Sequence, residues 1–247
     1  MRIVAVIPAY NEARTLGRVV SGLLTHCADV VVVDDGSTDG CAATLVGLPV
    51  TLLRHTHNQG KAAALWTGMQ AALAMGADAV LTLDADGQHP ADDVPRLMHA
   101  ARANPARLIV GARTLARHST PLIRFIANRF ANFWISWACG QRLSDSQSGF
   151  RVYPAAFLRK IHIAHDLRHG FVFESELLIE AARAGFRIHA VSVPAIYQPD
   201  ARASYYRHRD SLRITAMVAR KLIARGLYPV GLYGALLADD EATEDLS

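Results

Sequence analysis

The ten residues from Leu81 to Pro90, LTLDADGQHP, constrain the fold more than any other stretch, because an apolar run ends abruptly in two carboxylates and a turn. Ala79 to Leu83 is short and rich in Val and Leu, and Asp, Gly, Gln and Pro follow it. That is the pattern of a buried parallel strand opening into a loop. Ligands of open α/β sheets bind at this strand edge, where Asp84 and Asp86 fall. Carboxylates two apart at such an edge are placed to hold a hard divalent cation against a diphosphate. Taken alone, Asp86-Gly87 reads equally as an ordinary turn and Asp84 as an ordinary cap.

The preceding residues repeat the pattern. Arg2 to Pro8 is an apolar run broken by proline, and Asn11 to Leu24 carries Leu16, Val19, Val20 and Leu23 at helical spacing. Val30 to Val33 reads as a second buried strand, ending in Asp34, Asp35, Gly36, Ser37, Thr38 and Asp39, and Val50 to Leu53 as a third. Asn58-Gln59-Gly60-Lys61 opens a helix over Ala62 to Met75. Strand and helix thus alternate four times before Asp84. This order predicts an α/β fold with a mostly parallel central sheet and helices on both faces.

With 247 residues, 51% of them hydrophobic, the chain can bury one large core, or a core with a small appended subdomain. No linker or repeat divides it, so one domain is expected over residues 1–238, with a nucleotide-binding half at 1–111 and an acceptor-binding half at 112–238. Cys27, Cys41 and Cys139 are odd in number and lack C-x-x-C spacing, which argues against a disulfide framework or zinc site and for a reducing cytoplasm. Met1-Arg2 leads straight into the first strand, so no signal peptide is expected. Arg124, Arg129 and Asn132 interrupt the apolar stretch Leu122 to Cys139. Arg225, Gly226 and Pro229 interrupt Leu222 to Ala238, and neither reads as a transmembrane span.

Charge is uneven along the chain. Residues 1–100 hold 6 Lys+Arg against 10 Asp+Glu, residues 101–238 hold 20 against 7, and residues 239–247 hold 0 against 5. The last nine residues read as an acidic, solvated and disordered tail. The basic second part fits an anionic membrane or a phosphorylated substrate. Nucleic acid is the weakest partner, since no nucleic-acid-binding motif accompanies the arginines.

Four blocks in order, Ile7-Pro8-Ala9-Tyr10-Asn11-Glu12, Val33-Asp34-Asp35-Gly36-Ser37-Thr38-Asp39, Asn58-Gln59-Gly60-Lys61 and Asp84-Ala85-Asp86, resemble the family 2 inverting glycosyltransferases of the GT-A nucleotide-sugar-binding fold. Gly111-Ala112-Arg113, Asp145-Ser146-Gln147-Ser148-Gly149-Phe150-Arg151 and Phe173-Glu174-Ser175-Glu176-Leu177-Leu178 are similar to the branch that includes dolichyl-phosphate mannose and dolichyl-phosphate glucose synthases. The resemblance covers roughly residues 1 to 215 and is looser in its later part.

The resemblance implies roles. Asp84 and Asp86 would hold Mg²⁺ or Mn²⁺, with Gln88 completing the shell directly or through water, and Asp84-Ala85-Asp86 would face the donor diphosphate. Pro8 to Tyr10, with Glu12 and Asp35, would hold the base and ribose of a UDP- or GDP-linked sugar. Gly60 and Lys61 would let the chain pass close to the nucleotide. Arg113 would lie near the donor or acceptor phosphates, and Arg151 would act in catalysis and acceptor binding. Arg202 and Arg207 fall in a region where relatives carry an arginine-containing loop ending in Ser-Lys. Here Tyr205 follows Ser204, and the match is imperfect. Taken singly, Pro8 is also a strand terminator, Glu12 a first-turn acid and Lys61 a solvated charge.

Arg124 and Arg129 lie among Phe125, Phe130, Phe133, Trp134 and Trp137. Two readings stand: a helix lying in the membrane interface that receives a lipid phosphate, or a core helix with arginines at its rim. A hydroxyl acceptor needs a carboxylate base, for which Asp145, Glu174 and Glu176 are the candidates. A phosphate acceptor is already anionic and needs cations for placement. The arginines favour the phosphate, with Asp145 and Glu176 orienting arginines or sugar hydroxyls. His162, His165 and His169 read as residues of a basic, mobile surface loop, and His89 as a turn residue or a donor-site contact.

The expected activity is therefore inverting transfer of a sugar from a nucleoside-diphosphate sugar to a lipid-linked, polyprenyl-phosphate acceptor, peripheral on the cytoplasmic face of an anionic membrane. Transfer to a hydroxyl of a glycolipid or polysaccharide is the alternative. A sugar nucleotidyltransferase is disfavoured because Ile7 to Glu12 lacks the Gly-rich, Arg-containing loop of that class, and a silent nucleotide-sugar-binding module because Asp84 and Asp86 are intact.

Overall fold

The structure, a computed structural model, describes residues 1–113, 122–161, 170–194 and 208–237, with the side chains of 122–127, 170–171, 208–212 and 237 outside the description. Arg124, Arg202, Arg207 and the three histidines at 162, 165 and 169 thus lie outside the described side chains, as does the acidic tail.

The strands are β1 (Ile3–Ala9), β2 (Val30–Asp34), β3 (Thr51–Arg54), β4 (Ala79–Thr82), β5 (Leu108–Arg113), β6 (Arg151–Pro154) and β7 (Ile188–Val193). Between and after them run helices α1 (Leu16–Leu24), α2 (Lys61–Ala74), α3 (Val94–Ala103), α4 (Leu122–Cys139), α5 (Ala155–Leu158), α6 (Gly170–Arg183), α7 (His208–Ile223) and α8 (Pro229–Leu237). Among the described residues they form one seven-stranded sheet in the order β3-β2-β1-β4-β6-β5-β7. Every pairing is parallel except those of β6, which runs antiparallel to both β4 and β5.

The sheet is covered on both faces, as its short Val- and Ile-rich strands require. Alternation along β1 sends Val4 and Val6 into a core shared with α2, α4, α6 and α7, and Ile3, Ala5 and Ile7 into one shared with α1 and α3. A β-carbon at Gly68 of α2 would fall 2.3 Å from Val6 Cγ1, so only glycine lets this helix settle so close to the sheet.

Three local expectations change. β3 is an edge strand whose Thr51, Leu52 and Arg54 are exposed, not a buried one; with no strand beyond it, one flank faces solvent. The β2 to β3 connection holds a short 3-10 turn over Cys41–Leu45 instead of a full helix. α1 begins at Leu16, because Asn11, in left-handed backbone at φ 57°, turns away to bind the loop after β2.

The chain proceeds from β1 outward to β2 and β3, then returns to lay β4 on the other side of β1. Between β1 and β4 the connections leave in opposite directions, and a crevice opens there at the carboxyl ends of the strands. Both Pro8 to Glu12 and Asp84 to Gln88 are delivered to it.

Candidate active site

Side chains bind the loop after β1 to the loop after β2. The Asn11 backbone N–H donates to Ser37 Oγ at 3.0 Å, and Asn11 Oδ1 accepts from the Thr38 backbone at 2.9 Å. Asp39 accepts from the backbone N–H groups of Ala13 and Cys41. Gly36, at φ 72°, lies where a β-carbon would come within 2.5 Å of the His57 backbone. Tyr10 remains 46% exposed at the rim, and Glu12 accepts from Thr15 Oγ1 at 3.2 Å.

Asp35 is 2% exposed, and its carboxylate accepts from the backbone N–H groups of Gln59 (2.9 Å) and Gly60 (2.8 Å). His55 Nδ1 lies 2.7 Å from it, and His55 Nε2 is 3.1 Å from Thr67 Oγ1 on α2. These contacts within the chain fix the loop from which α2 starts.

The first residue of α2, Lys61, reaches back to the end of β4. Its Nζ lies 2.7 Å from Asp84 Oδ1 and 3.2 Å from Glu174 Oε2 on α6. Burial pulls the Lys61 pKa down, but Asp84 and then Glu174 outweigh it and leave the ammonium above its ordinary value. Burial pushes Asp84 up, and Lys61 more than reverses this. Among the described residues Asp86 has no such close partner: burial, then the Asp84 charge, raise it to about 6, against a backbone N–H donated by Gln88 at 2.9 Å and the weaker pull of the Lys61 charge.

Two ionisable oxygens held close in a half-buried site, one of them disfavoured by the other's charge, make a donor set that a divalent cation relieves. Among the described residues no group of three His, Cys, Asp or Glu side chains could hold a metal ion without help. Two carboxylates that leave the remaining positions to water and phosphate oxygens suit Mg²⁺ or Mn²⁺, so the residues fit such an ion. His89 is buried against the Phe150 ring, its Nδ1 without a hydrogen-bond partner among the described residues, and burial lowers its pKa.

The segment 145–151 closes the other wall. Thr82 Oγ1 donates to the Gly149 carbonyl at 2.8 Å, and a β-carbon on Gly149 would lie 2.9 Å from Glu174 Oε1 and 3.0 Å from Asp84 Oδ2. Only a glycine leaves room for both acids. Asp145, 4% exposed, takes the Arg113 fork in a two-point pair, Nε to Oδ2 at 2.7 Å and Nη2 to Oδ1 at 3.2 Å. Asn132 on α4 accepts from both the backbone N–H and the hydroxyl of Ser146.

Two expected site residues serve the protein's own frame. Arg151 is 0% exposed, and it donates to the carbonyls of Ser146, Ser148 and Glu174 and to the Tyr153 hydroxyl. It ties segment 146–148 to α6, because a buried guanidinium must have its donors matched by acceptors. Glu176 points at Lys221 of α7, 2.9 Å away, in a cluster that includes Glu180. The helical spacing that puts Glu174 toward α2 turns Glu176 toward α7.

Sequence reasoning named Glu174 only as a possible base, and it missed Thr82 and Asn132. A lone asparagine in the aromatic run of α4 was the available signal, since a polar group there needs a partner. α4 has one buried and one exposed face. Ile135, Ala138 and Cys139 are buried, whereas Phe130 (55%) and Phe133 (40%) are exposed, as is Arg129.

Comparison with known proteins follows the same lines. The model of glycosyl transferase family 2 matches residues 4–168. UDP-N-acetylglucosamine–dolichyl-phosphate N-acetylglucosaminyltransferase of Methanococcus voltae is 30% identical over 217 residues, covering 79% of this chain and 86% of the relative. Undecaprenyl-phosphate mannosyltransferase of Micrococcus luteus is 32% identical over 214 residues, covering 80% and 84%. Among solved structures, glucosyl-3-phosphoglycerate synthase from Mycobacterium tuberculosis, in complex with Mn²⁺, uridine diphosphate and glucosyl-3-phosphoglycerate, superposes with a TM-score of 0.65 at 22% identity, covering 91% of this chain and 79% of that one. It shares the fold.

Proposed function

The chain belongs to glycosyl transferase family 2, and from that premise we propose that it transfers a sugar, with inversion, from a UDP- or GDP-linked donor to a polyprenyl-phosphate acceptor at an anionic membrane surface. One observation carries the choice of acceptor. Each candidate base is already engaged with a cation: Glu174 with Lys61, Asp145 with Arg113 and Glu176 with Lys221. A hydroxyl acceptor needs a carboxylate committed to taking its proton, whereas a phosphate nucleophile arrives ionised and needs placement. The names of the relatives from Methanococcus voltae and Micrococcus luteus support the same acceptor class.

Within this reading, Pro8, Tyr10 and Glu12 border the base and ribose, and Gly60, Lys61, Ala85 and Arg113 border the diphosphate. Asp84 and Asp86, with Gln88 beside them, would hold Mg²⁺ or Mn²⁺, which when bound neutralises charge on the departing diphosphate. Lys61 adds a second positive charge on the same side. Asp145 fixes the Arg113 guanidinium so that its orientation is set before substrate arrives, and Arg151 holds the 146–148 wall.

No helix among the described residues is long and apolar enough to cross a membrane. A peripheral contact is supported by exposed apolar side chains on two packed helices, Phe130 and Phe133 of α4 and Val230 (74%), Tyr233 (68%) and Leu236 (58%) of α8. From Arg213 to Leu237 every charged residue is basic, namely Arg213, Arg220, Lys221 and Arg225. Exposed apolar side chains on helices with a basic sequence match an anionic lipid surface. Arg124, Arg129, Arg202 and Arg207 complete the proposed acceptor side.

The test offers the protein labelled UDP- and GDP-sugars with Mg²⁺ or Mn²⁺ and two acceptors in anionic vesicles, a polyprenyl phosphate and a glycolipid with free hydroxyls. Acid-labile sugar phosphate on the polyprenol is the expected product. Transfer to the glycolipid alone overturns the phosphate reading, and full activity with no sedimentation on anionic vesicles overturns the membrane contact.

A further inference from the structure

A cation of the protein's own already occupies the carboxylate edge. Lys61 Nζ bridges Asp84 Oδ1 at 2.7 Å and Glu174 Oε2 at 3.2 Å, with Lys61 and Asp84 each 27% exposed at the side chain and Glu174 6%. Both ends of this bridge are anchored. Asp35 binds the Gly60 backbone N–H at 2.8 Å, one residue before Lys61, and Arg151 binds the Glu174 carbonyl at 2.6 Å. The ammonium therefore lies on one oxygen of a carboxylate that would hold a divalent cation.

Two positive charges sharing one carboxylate repel each other strongly in a partly desolvated site. We infer that Lys61 is an internal counter-ion that competes with the divalent cation for Asp84 and is released onto the donor diphosphate, with Glu174 retaining its ammonium during the exchange. The inference rests on reading Asp84 and Asp86 as the cation's carboxylates. Without nucleotide, cation binding must separate the Lys61–Asp84 ion pair with no anionic ligand to receive the ammonium. With nucleotide present, the ammonium has an anionic destination, so cation and nucleotide assist each other, and by linkage each does so by the same factor. Lys61 thereby makes loading ordered: the carboxylate edge stays neutralised until a diphosphate arrives.

The experiment measures Mn²⁺ binding to the full chain by the paramagnetic resonance of free Mn²⁺, alone and with UDP or GDP, for wild type, Lys61→Met and Lys61→Arg. Lys61→Met is expected to bind Mn²⁺ alone at least about tenfold more tightly than wild type, equivalent to about 1.4 kcal/mol, while the enhancement by nucleoside diphosphate falls by a similar factor. Lys61→Arg, which keeps the charge, should remain within about threefold of wild type on the same scale. Circular dichroism checks folding, and Lys61→Gln carries the comparison if the methionine variant does not fold. Mn²⁺ affinity that is unchanged or weaker in the uncharged variant overturns the competition. Absence of Mn²⁺ binding in wild type and variants with either nucleotide overturns the metal reading itself, a result distinct from equal binding in all of them.

Discussion

After β2, Asp34 and Asp35 are 0% and 2% exposed, and Asp35 receives two backbone N–H groups and a histidine. After β4, Asp84 and Asp86 remain half-buried, one held by Lys61 alone among its close cations and the other by a single backbone N–H. Both are pairs of acids at the carboxyl end of a central parallel strand. The difference lies in what the next loop supplies. The Gly36 turn brings residues 57–60 against Asp35, so the chain provides its own donors there. The loop Asp84 to Pro90 supplies, among the described residues, one backbone N–H, from Gln88 to Asp86, and more of their electrostatic demand is left for a ligand to meet. Residue type at a strand end marks a place where charge is affordable; only the hydrogen-bond inventory separates a clamp from a site.

The sharpest way to break this comparison is to neutralise one acid of each pair. Asp84→Asn or Asp86→Asn should lower turnover by about 10²-fold or more, roughly 2.7 kcal/mol, while thermal unfolding shows a folded protein. Near-wild-type turnover at saturating metal in either variant would show that the edge after β4 is not the cation's seat. Asp35→Asn should do the reverse. It forces an amide NH₂ against donors that now meet a carboxylate, and it should cost about 2–3 kcal/mol of stability by denaturant titration. A stable Asp35→Asn protein with lost nucleotide affinity would return Asp35 to the ligand.

The comparison extends to α6, where Glu174 and Glu176 repeat the two roles two residues apart. Glu176→Gln should lower stability by about 1–2 kcal/mol, since Lys221 keeps Glu180, and should leave turnover within about tenfold of wild type. A collapse in turnover that an added small-molecule base rescues would favour a hydroxyl acceptor.

How much of this was legible in the sequence follows from the same distinction. The parallel sheet was legible, because runs such as Val30 to Val33 and Ala79 to Leu83 admit few other environments, and the blocks from Ile7 to Asp86 marked the crevice. The exposure of β3 was not, since an edge strand differs from a central one by its neighbours and not by its own residues. The partners of Arg151 and Glu176 were not legible for a related reason. A charged residue in a motif reads as a ligand contact, and nothing local reveals that three carbonyls or a lysine 45 positions away will absorb it. The pairing of Arg113 was not legible either, because Asp145 lies 32 residues further on.

The smallest effect, and the one most specific to an unmet charge, is the pH dependence of stability in Asp86→Asn. Asp86 titrates near 3.8 when unfolded and at about 6 in the folded protein, where burial and the Asp84 charge disfavour its ionised form. Between those values the folded state binds more protons than the unfolded one, so wild-type stability falls as pH rises from about 4 to about 6 and then levels off. Asparagine removes that ionisation. The variant should therefore gain on wild type above pH 6, by about 1 kcal/mol once partial exposure and local relaxation are allowed for, and the gain should vanish below about pH 4. Denaturant titrations without metal at about pH 4 and 7.5 measure it. Saturating Mn²⁺ should reverse the order at the higher pH, because bound cation stabilises only the form that retains the carboxylate. A gain equal at both pH values would indicate a change in packing and would remove the contrast between an acid that its chain satisfies and one that it leaves for a ligand.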